Sequence, residues 1–418
     1  MQDERQNIER TTSRSVVTQK GRLSPLFFAI LAIFIFVAPQ QSLARNVDGF
    51  RSTLSLSERK QFDAYLAART FFNADLDAYW GKVNAKRKAR RRKKRSRYSS
   101  ADYVRSLPPK YKGPSLSKSL QRKWVAHQAR EKKTKPRKRR QLAGVADFLA
   151  SAKKYYGFVP ERIPEREFKR RYAREALRLG LTKSQVVRVY ALETGGNGTA
   201  DMQAGIHPIT KKGRPISSAL GYAQLLHANS INELRKHGAS FISRLERAAR
   251  NPNLSTSRRA GITRKLKGLK AMYRTVRRLP DRWSRHVAFA KTTRGRGIHA
   301  LNLDGDVGPW MQVIKLKGLR NFAAKFGRNS LTSSELELMN LAGPGTGIEM
   351  MTPIGRRMPT TNFFSRLGYS RNSIVRGRTA AGLLAALEER MNYNVRNKGS
   401  KEFFAVFDEV KRERSASR

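Results

Sequence analysis

The sequence predicts a mainly α-helical protein. Capping-box patterns at Thr182-x-x-Gln185 and Ser230-x-x-Glu233 each predict the start of a helix. The segments 57–83 and 244–285 have apolar residues at three- and four-residue spacing, which is typical of amphipathic helices. With 418 residues, 39% of them hydrophobic, the chain is long enough for two or three domains with a sizeable core.

The net charge indicates polyanionic surroundings. The chain has 87 Lys and Arg against 31 Asp and Glu, a formal charge of +56. Nucleic acid, anionic lipid and an anionic wall polymer are all compatible with this charge. The chain has no cysteine, which excludes disulfides, thiolate metal sites and a cysteine nucleophile.

The N-terminal 44 residues predict a secretory signal. Thirteen uncharged apolar residues over 26–38 follow a basic region and precede Ser42-Leu43-Ala44, a small-x-Ala cleavage site. At about 1.5 Å per residue this run is shorter than the roughly 30 Å hydrocarbon core, so cleavage after Ala44 is favoured over an uncleaved anchor through 26–38. We therefore expect a periplasmic or secreted protein, and export disfavours nucleic acid as its partner.

Two segments separate the signal from the second half. Residues 45–83 are expected to be a helical N-terminal segment. Residues 84–141 contain 24 Lys and Arg but only two acidic residues, Asp102 and Glu131, which predicts a disordered basic linker. Such a linker would bind anionic envelope polymers weakly and with strong salt dependence.

The first candidate site residue is Glu193. Residues 165–179 predict one helix, and the next runs to Thr194 with an apolar stripe that includes Val186, Val189 and Tyr190. Glu193 lies on that stripe in the last turn, where burial and the negative end of the helix dipole disfavour a charged carboxylate. A raised pKa suits a general acid. The alternative is a rim carboxylate paired with one of the many arginines.

Two further segments supply candidate amide side chains. Ser218 is expected to cap a short helix that carries Gly221 and Gln224. Ser334-Glu335-Leu336-Glu337 predicts a second capped helix, which stops at Gly343 and carries Asn340 one turn before its end. Each amide is interpreted either as a sugar ligand or as an ordinary buried or helix-terminal side chain.

The loop 301–312 resembles a metal site without fulfilling its requirements. Asn302, Asp304 and Asp306 match the first ligands of a calcium loop, but Val307 and Val313 occupy the required glycine and glutamate positions. Trp310 is interpreted either as the wall of a saccharide cleft or as a core residue. The six histidines show no zinc spacing, and no phosphate-binding glycine motif is present, so we expect no metal and no cofactor.

Three short motifs, in this order, resemble the catalytic domain of lytic transglycosylases of the goose-lysozyme-like superfamily. They are Glu193-Thr194, Gly221-Tyr222-Ala223-Gln224 and Met339-Asn340-Leu341-Ala342-Gly343. The resemblance covers about residues 160–360. It implies an α+β lysozyme-like catalytic domain over 142–360 and peptidoglycan glycan strands as substrate. It also implies that Glu193 is catalytic and that the sugar-binding residues include Thr194, Gly221, Tyr222, Gln224, Asn340 and Gly343.

The motifs depart from the family pattern at several positions. Glu193 and Gly221 are 28 residues apart, wider than the family's usual gap. Met339 occupies the position where the family usually has tyrosine, whose hydroxyl would contact the catalytic carboxylate. Ala342 occupies the family's glycine position, and Gly343 follows one residue late. These differences affect rate and substrate register more than reaction type.

The expected function is cleavage of the MurNAc–GlcNAc glycosidic bond to give 1,6-anhydroMurNAc ends. One alternative is a lysozyme-type hydrolase, which needs a second carboxylate such as Asp201, Asp304 or Asp306. Another is a weakly active or inactive basic scaffold that binds peptidoglycan. Residues 361–418 are expected to form a helical extension that caps the catalytic domain or docks a partner.

Overall fold

The computed structural model describes residues 46–134 and 142–417, and this part of the chain is mainly helical. The α-helices, in chain order, are α1 (Leu56–Arg90), α2 (Lys118–Thr134), α3 (Val145–Tyr156), α4 (Glu165–Arg178), α5 (Lys183–Thr194), α6 (His227–Ala249), α7 (Thr256–Arg277), α8 (Trp283–Ala290), α9 (Thr293–His299), α10 (Val307–Ala324), α11 (Ser333–Ala342), α12 (Pro344–Met350), α13 (Pro353–Arg357), α14 (Arg366–Arg371), α15 (Ala380–Asn394) and α16 (Lys398–Ala416). Short 3-10 helices lie at Arg95–Arg97, Ser100–Asp102, Ala300–Leu303 and Thr360–Asn362.

β-structure in the described ranges is limited to isolated bridges. These bridges pair Gln203 with Leu220, Ile206 with Gly213, Leu220 with Leu225 and Pro359 with Thr379. The prediction of a mainly α protein is therefore confirmed.

Two local predictions are wrong. The second capping box does not start a helix, because α6 already begins at His227 and Ser230 lies inside it. No short helix follows Ser218, since residues 217–226 contain a turn at 221–224 between two bridge residues and no helix in the described structure. Gly221 and Gln224 have φ angles of 77° and 41°, and this left-handed conformation interrupts a helix.

The chain divides into two compact units, and the boundary falls within α1. The first unit comprises the described residues up to Asn73 together with Tyr111 onwards through α2. Its small core contains Phe50, Phe62 and Leu120. The second unit comprises Ala74–Lys110 and the described residues after the gap that follows α2.

The structure does not confirm a disordered linker over 84–141. In the second unit Arg90 and Tyr103 are buried, and both side chains contact the Glu349 carboxylate at 3.0 Å. Arg87 also donates to the carbonyl oxygen of Thr361 at 2.9 Å. These basic residues pair with protein groups instead of remaining solvated, which is why the segment is ordered. Residues 135–141 lie outside the described residues.

The C-terminal helices belong to the second unit. α16 packs on α4 and α5, and α15 packs on α5 and α11. Leu383, Met391 and Phe403 are fully buried in the core that these helices share with Tyr172 and Tyr190. Residues 361–418 therefore complete the unit that contains Glu193, and they hold the end of α5 in place.

The predicted signal segment and its apolar run at 26–38 lie outside the described residues. In the ranges that the structure describes, no helix combines the length and apolar character needed to cross a membrane.

Candidate active site

The position of Glu193 is fixed at both ends of α5. At the start, the Thr182 hydroxyl accepts a hydrogen bond from the Gln185 backbone N–H at 3.1 Å, as the capping box predicts. At the end, Gly195 and Gly196 have positive φ angles of 65° and 75°. A Cβ atom on Gly196 would lie 2.2 Å from the Asn394 carbonyl oxygen, so glycine is required for the close approach of α15. The helix thus ends one residue after Glu193, with its carboxyl group partly buried.

Asn340 joins the end of α11 to the end of α5. The Asn340 Nδ2 atom donates to Glu193 Oε1 at 2.9 Å. α11 ends at Gly343, whose φ of 86° breaks the helix one turn after Asn340. One hydrogen bond therefore joins Glu193 of the first motif to Asn340 of the third motif, which lies 147 positions later in the chain.

A second carboxyl group, that of Glu337, lies in the same cluster. It is buried on α11 one turn before Asn340, which also donates to its two oxygens at 3.3 and 3.2 Å. Each carboxyl group affects the pKa of the other, so Glu193 and Glu337 lie close together. Two carboxyl groups this close repel each other when both are ionised, so ionisation of both is disfavoured. We call Glu193 and Glu337 the carboxyl pair.

Burial dominates the electrostatics of the carboxyl pair. It raises the pKa of Glu193 and, together with the negative charge of Glu193, raises the pKa of Glu337 well above its usual range. The positive charge of Lys315, the interaction with Glu337, the positive charge of Arg390 and the hydrogen bond from Asn340 all oppose the rise at Glu193. Burial lowers the pKa of Lys315 itself, although the nearby carboxylates favour its charged form. In the described residues no salt bridge joins Lys315 to either carboxyl, so its effect is exerted at a distance.

The sequence did not predict Glu337 as a site residue, because the capping box of α11 was expected two residues too late in the chain. The sequence predicts a cap that begins at Ser334 and includes Glu337. The structure instead pairs Thr332 with Glu335, whose carboxylate accepts from the Thr332 backbone N–H at 3.1 Å. This shift frees Glu337 to face Glu193. An equally good Thr-x-x-Glu pattern two residues earlier was the available signal.

The second motif forms a tight turn that uses its own polar groups. The Gln224 Nε2 atom donates to the Gly221 and Met202 carbonyl oxygens at 2.8 and 3.1 Å. A Cβ atom on Gly221 would lie 2.6 Å from the Gln312 side chain, so the glycine admits a protein side chain at this point. No hydrogen bond links Gln224 to Glu193 in the described structure.

The remaining expected sugar ligands have structural partners. Tyr222 is buried among aromatic rings and donates to Glu165 at 2.7 Å. Thr194 is buried and donates to the Tyr190 carbonyl oxygen at 2.7 Å. Trp310 lies 3.8 Å from the Arg244 guanidinium and near Phe241, which agrees with the core alternative.

The acidic loop residues form a separate cluster around a buried lysine. Lys265 contacts Glu161, Asp304 and Asp306 at 2.9, 3.1 and 2.5 Å. Asp304 is fully buried and accepts hydrogen bonds from the backbone N–H groups of Glu161, Asp306 and Val307. These contacts make a structural salt-bridge cluster. We call Lys265 with its three carboxylates the lysine cluster.

Asp201 is also engaged elsewhere. It accepts from Thr199 and pairs with Lys211 and Arg162. Burial would raise its pKa, but these three partners outweigh burial and lower the pKa to about 2. Asp201 is therefore ionised at neutral pH and already neutralised by two cations. Within the described ranges, no group of three or more His, Asp or Glu side chains has the arrangement of a metal site.

An open cavity of about 1020 Å³ lies along α15, and neither Glu193 nor Glu337 lines it. It is lined by residues of α15 and the loop before it, among them Arg390, Tyr393 and Asn394. Arg390 is close enough to influence the pKa of Glu193, and Asn394 Nδ2 donates to the Ala191 carbonyl oxygen at 2.9 Å. Tyr393 is 70% exposed. The cavity thus combines an exposed aromatic ring with charged groups next to the end of α5.

Comparisons with known proteins identify no relative: no family model, no curated protein and no solved structure matches the chain.

Proposed function

We propose that the chain is an exported lytic transglycosylase that cleaves MurNAc–GlcNAc bonds in peptidoglycan and leaves 1,6-anhydroMurNAc ends. The observation that carries the proposal is the hydrogen bond between Glu193 and Asn340, which unites the first and third motifs at a carboxyl group of raised pKa. A lysozyme-like catalytic domain and a periplasmic or secreted location belong to the same proposal. The resemblance of the three motifs and the N-terminal signal pattern support both.

In this proposal the carboxyl pair supplies one proton. Glu193 protonates the glycosidic oxygen, and the bond to the MurNAc anomeric carbon breaks. As a carboxylate, Glu193 then takes the proton from the MurNAc C6 hydroxyl, whose oxygen bonds to the anomeric carbon. A raised pKa keeps the acid protonated near neutral pH, as general acid catalysis requires.

Contact between Glu193 and Glu337 favours a single-carboxyl mechanism over an ordinary hydrolase. Retaining and inverting glycosidases hold their two carboxyl groups about 5 to 9.5 Å apart, on opposite sides of the scissile bond. Glu193 and Glu337 lie too close together to hold a sugar between them. The other candidates, Asp201 and Asp304, already have protein partners. Intramolecular attack by the C6 hydroxyl removes the need for a second carboxylate.

The α15 cavity is the proposed position of the glycan strand. Sugar C–H groups pack well on an exposed aromatic face, which Tyr393 provides, and Arg390 would meet the lactyl or peptide carboxylates of the strand. Gln224 and Trp310 have no part in this arrangement. Anionic envelope polymers remain proposed partners of the basic segment 84–141, apart from Arg87 and Arg90, which bind protein groups.

A second candidate function is a weakly active or inactive scaffold that binds peptidoglycan. One observation favours it: the Met339 side chain is fully buried, so no hydroxyl replaces that of the family's tyrosine at the carboxylate.

The test is digestion of purified sacculi by the protein and by its Glu193→Gln variant, read by mass spectrometry of the soluble products. The proposal expects anhydro-muropeptides from the parent and at least a hundredfold less from the variant. A matched control is Glu246→Gln, which changes an exposed α6 carboxylate paired only with Lys270. Reducing ends in place of anhydro ends would identify a hydrolase. Sacculus binding without soluble product, unchanged in Glu193→Gln, would identify the scaffold.

A further inference from the structure

A smaller cavity, of about 230 Å³, lies away from the carboxyl pair at the start of α6. Its lining combines the polar side chains of Ser218, His227, Lys291 and Arg296 with an apolar wall that includes Phe148. No acidic residue lines it. A cavity with several cationic groups on one side and apolar groups on the other matches the outline of a small amphiphilic anion.

The two charged side chains in this cavity have no protein partners. Among the described residues, neither Lys291 nor Arg296 makes a side-chain hydrogen bond or a salt bridge. This is unusual in a chain where most partly buried arginines of the second unit are paired with carboxylates. Unpaired cations that converge on a cavity are available to a ligand.

Lys291 and Arg296 are also close enough to His227 to affect its pKa. Burial lowers the pKa of His227, and the charges of Arg296 and Lys291 lower it further. The nearby His299 is fully buried, and burial lowers its pKa to about 3, so it stays neutral. Its Nε2 atom lies 2.8 Å from the Ser218 carbonyl oxygen and thereby holds one wall of the cavity.

We propose that this cavity binds a small organic carboxylate, with the carboxylate between Lys291 and Arg296 and a short apolar group against Phe148. The planar guanidinium of Arg296 can donate two parallel hydrogen bonds to a carboxylate, and Lys291 adds a point charge. The apolar wall disfavours inorganic phosphate, which is hydrated on all sides. The site is independent of the glycan-cleaving function.

The test follows the titration of His227 by NMR, with butyrate as the probe and inorganic phosphate as the comparison. A bound carboxylate neutralises the surrounding positive charge, so 20 mM butyrate is expected to raise the His227 pKa by about 0.5 to 1 unit. Phosphate at equal ionic strength is expected to raise it less. The signal of His227 is assigned with a His227→Gln variant.

Lys291→Ala combined with Arg296→Ala should abolish the butyrate effect, while Arg294→Ala, an exposed α9 neighbour that does not line the cavity, should retain it. Thermal unfolding provides a second readout, since butyrate should raise the Tm of the parent and of Arg294→Ala only. An unchanged His227 titration, or an equal shift in the double variant, would overturn the proposal. A larger effect of phosphate than of butyrate would overturn the choice of ligand class.

Discussion

The second unit contains two clusters of buried acidic residues, and they differ in how their charges are balanced. In the lysine cluster, Lys265 contacts three carboxylates, and Arg258 and Arg171 supply further cations. In the carboxyl pair, Glu193 and Glu337 contact each other and the neutral amide of Asn340. Lys315 affects them only at a distance.

The pKa directions reflect this difference. The nearby carboxylates raise the pKa of Lys265 against the effect of burial, and hydrogen bonds from Arg258 and Lys265 lower that of Glu161 to about 2. Burial raises the pKa of Asp304, the fully buried member. At the carboxyl pair burial prevails throughout, raising the pKa of both carboxyls and lowering that of Lys315. A cluster with paired charges stabilises the fold, whereas one that retains a proton is suited to proton transfer.

The largest expected effect is on stability, from Lys265→Met. Removing the lysine leaves three carboxylates close together with too little positive charge, which should lower the free energy of unfolding by about 3 to 5 kcal/mol. Urea unfolding followed by circular dichroism measures the change. Lys267→Met, two residues away and exposed, is the control and should stay within about 0.5 kcal/mol. Equal effects of the two substitutions would contradict a structural role for the lysine cluster.

Next in size is Met339→Tyr, which introduces the family's tyrosine behind the carboxyl pair. Met339 is fully buried, and α12 packs so closely on it that a Cβ atom on Gly347 would lie 2.7 Å from the Met339 side chain. The larger ring should cost about 1 to 3 kcal/mol of stability without increasing activity. Met339→Leu, with similar volume, should cost less than about 1.5 kcal/mol. A stable and more active tyrosine variant would show that this position faces the substrate.

A smaller effect is expected from Glu337→Gln, which removes one member of the carboxyl pair. The proton of the pair then rests on Glu193 alone, whose pKa is raised less than that of Glu337 because Lys315 and Arg390 favour its charged form. The alkaline limb of the pH–activity profile should move to lower pH by about 1 unit, with about a tenfold loss at neutral pH. Sacculus turnover measured from pH 4 to 9 tests this. A uniform loss at every pH would instead indicate a merely structural role for Glu337.

The smallest expected effect concerns the pH dependence of the free energy of unfolding. The lysine cluster and the carboxyl pair should contribute to it in opposite directions. Glu161 has a lowered pKa, so its contribution is present above its ordinary pKa near 4.5 and is lost as the pH falls toward 2. Because its side chain is about a third exposed, we expect less than about 1 kcal/mol. The carboxyl pair has raised pKa values, so its contribution is present below about pH 4.5 and is lost as the pH rises.

Urea midpoints of the parent, Glu161→Gln and Glu337→Gln between pH 3 and 8 separate these contributions. Glu161→Gln should make the urea midpoint depend less on pH in the acidic range. Glu337→Gln should make it depend less on pH near neutrality. The same change in both variants would mean that the two clusters are not electrostatically distinct.

The sequence was sufficient to predict a mainly helical chain. Capping and periodicity placed Glu193 at the end of a helix, and motif order placed Asn340 beside it. Lys315 could not be found in this way, because its approach to Glu193 depends on the packing of α10 against α11, which are separate in the sequence. Local capping rules also allowed two registers for α11, and only tertiary packing selects the one that turns Glu337 toward Glu193.

The predicted sugar ligands show the limits of motif reading. Tyr222 and Gln224 occupy the expected positions in the sequence, yet one packs in an aromatic core and the other closes its own turn. Neither spacing nor residue type distinguishes a side chain that faces a cleft from one that faces the core. The predicted linker is not confirmed for a related reason, because Arg90 and Tyr103 have partners more than 200 residues away, at Glu349.

The central claim is that the carboxyl pair holds a proton at neutral pH. The most direct measurement is the titration of side-chain carboxyl ¹³C resonances in protein labelled at glutamate, with Glu193→Gln and Glu337→Gln used for assignment. We predict two resonances that titrate together, with the second proton lost well above the range of ordinary glutamates, and a single lower pKa for Glu193 in Glu337→Gln. Two independent titrations near the ordinary value of 4.5 would contradict the account, whatever the activity of the protein.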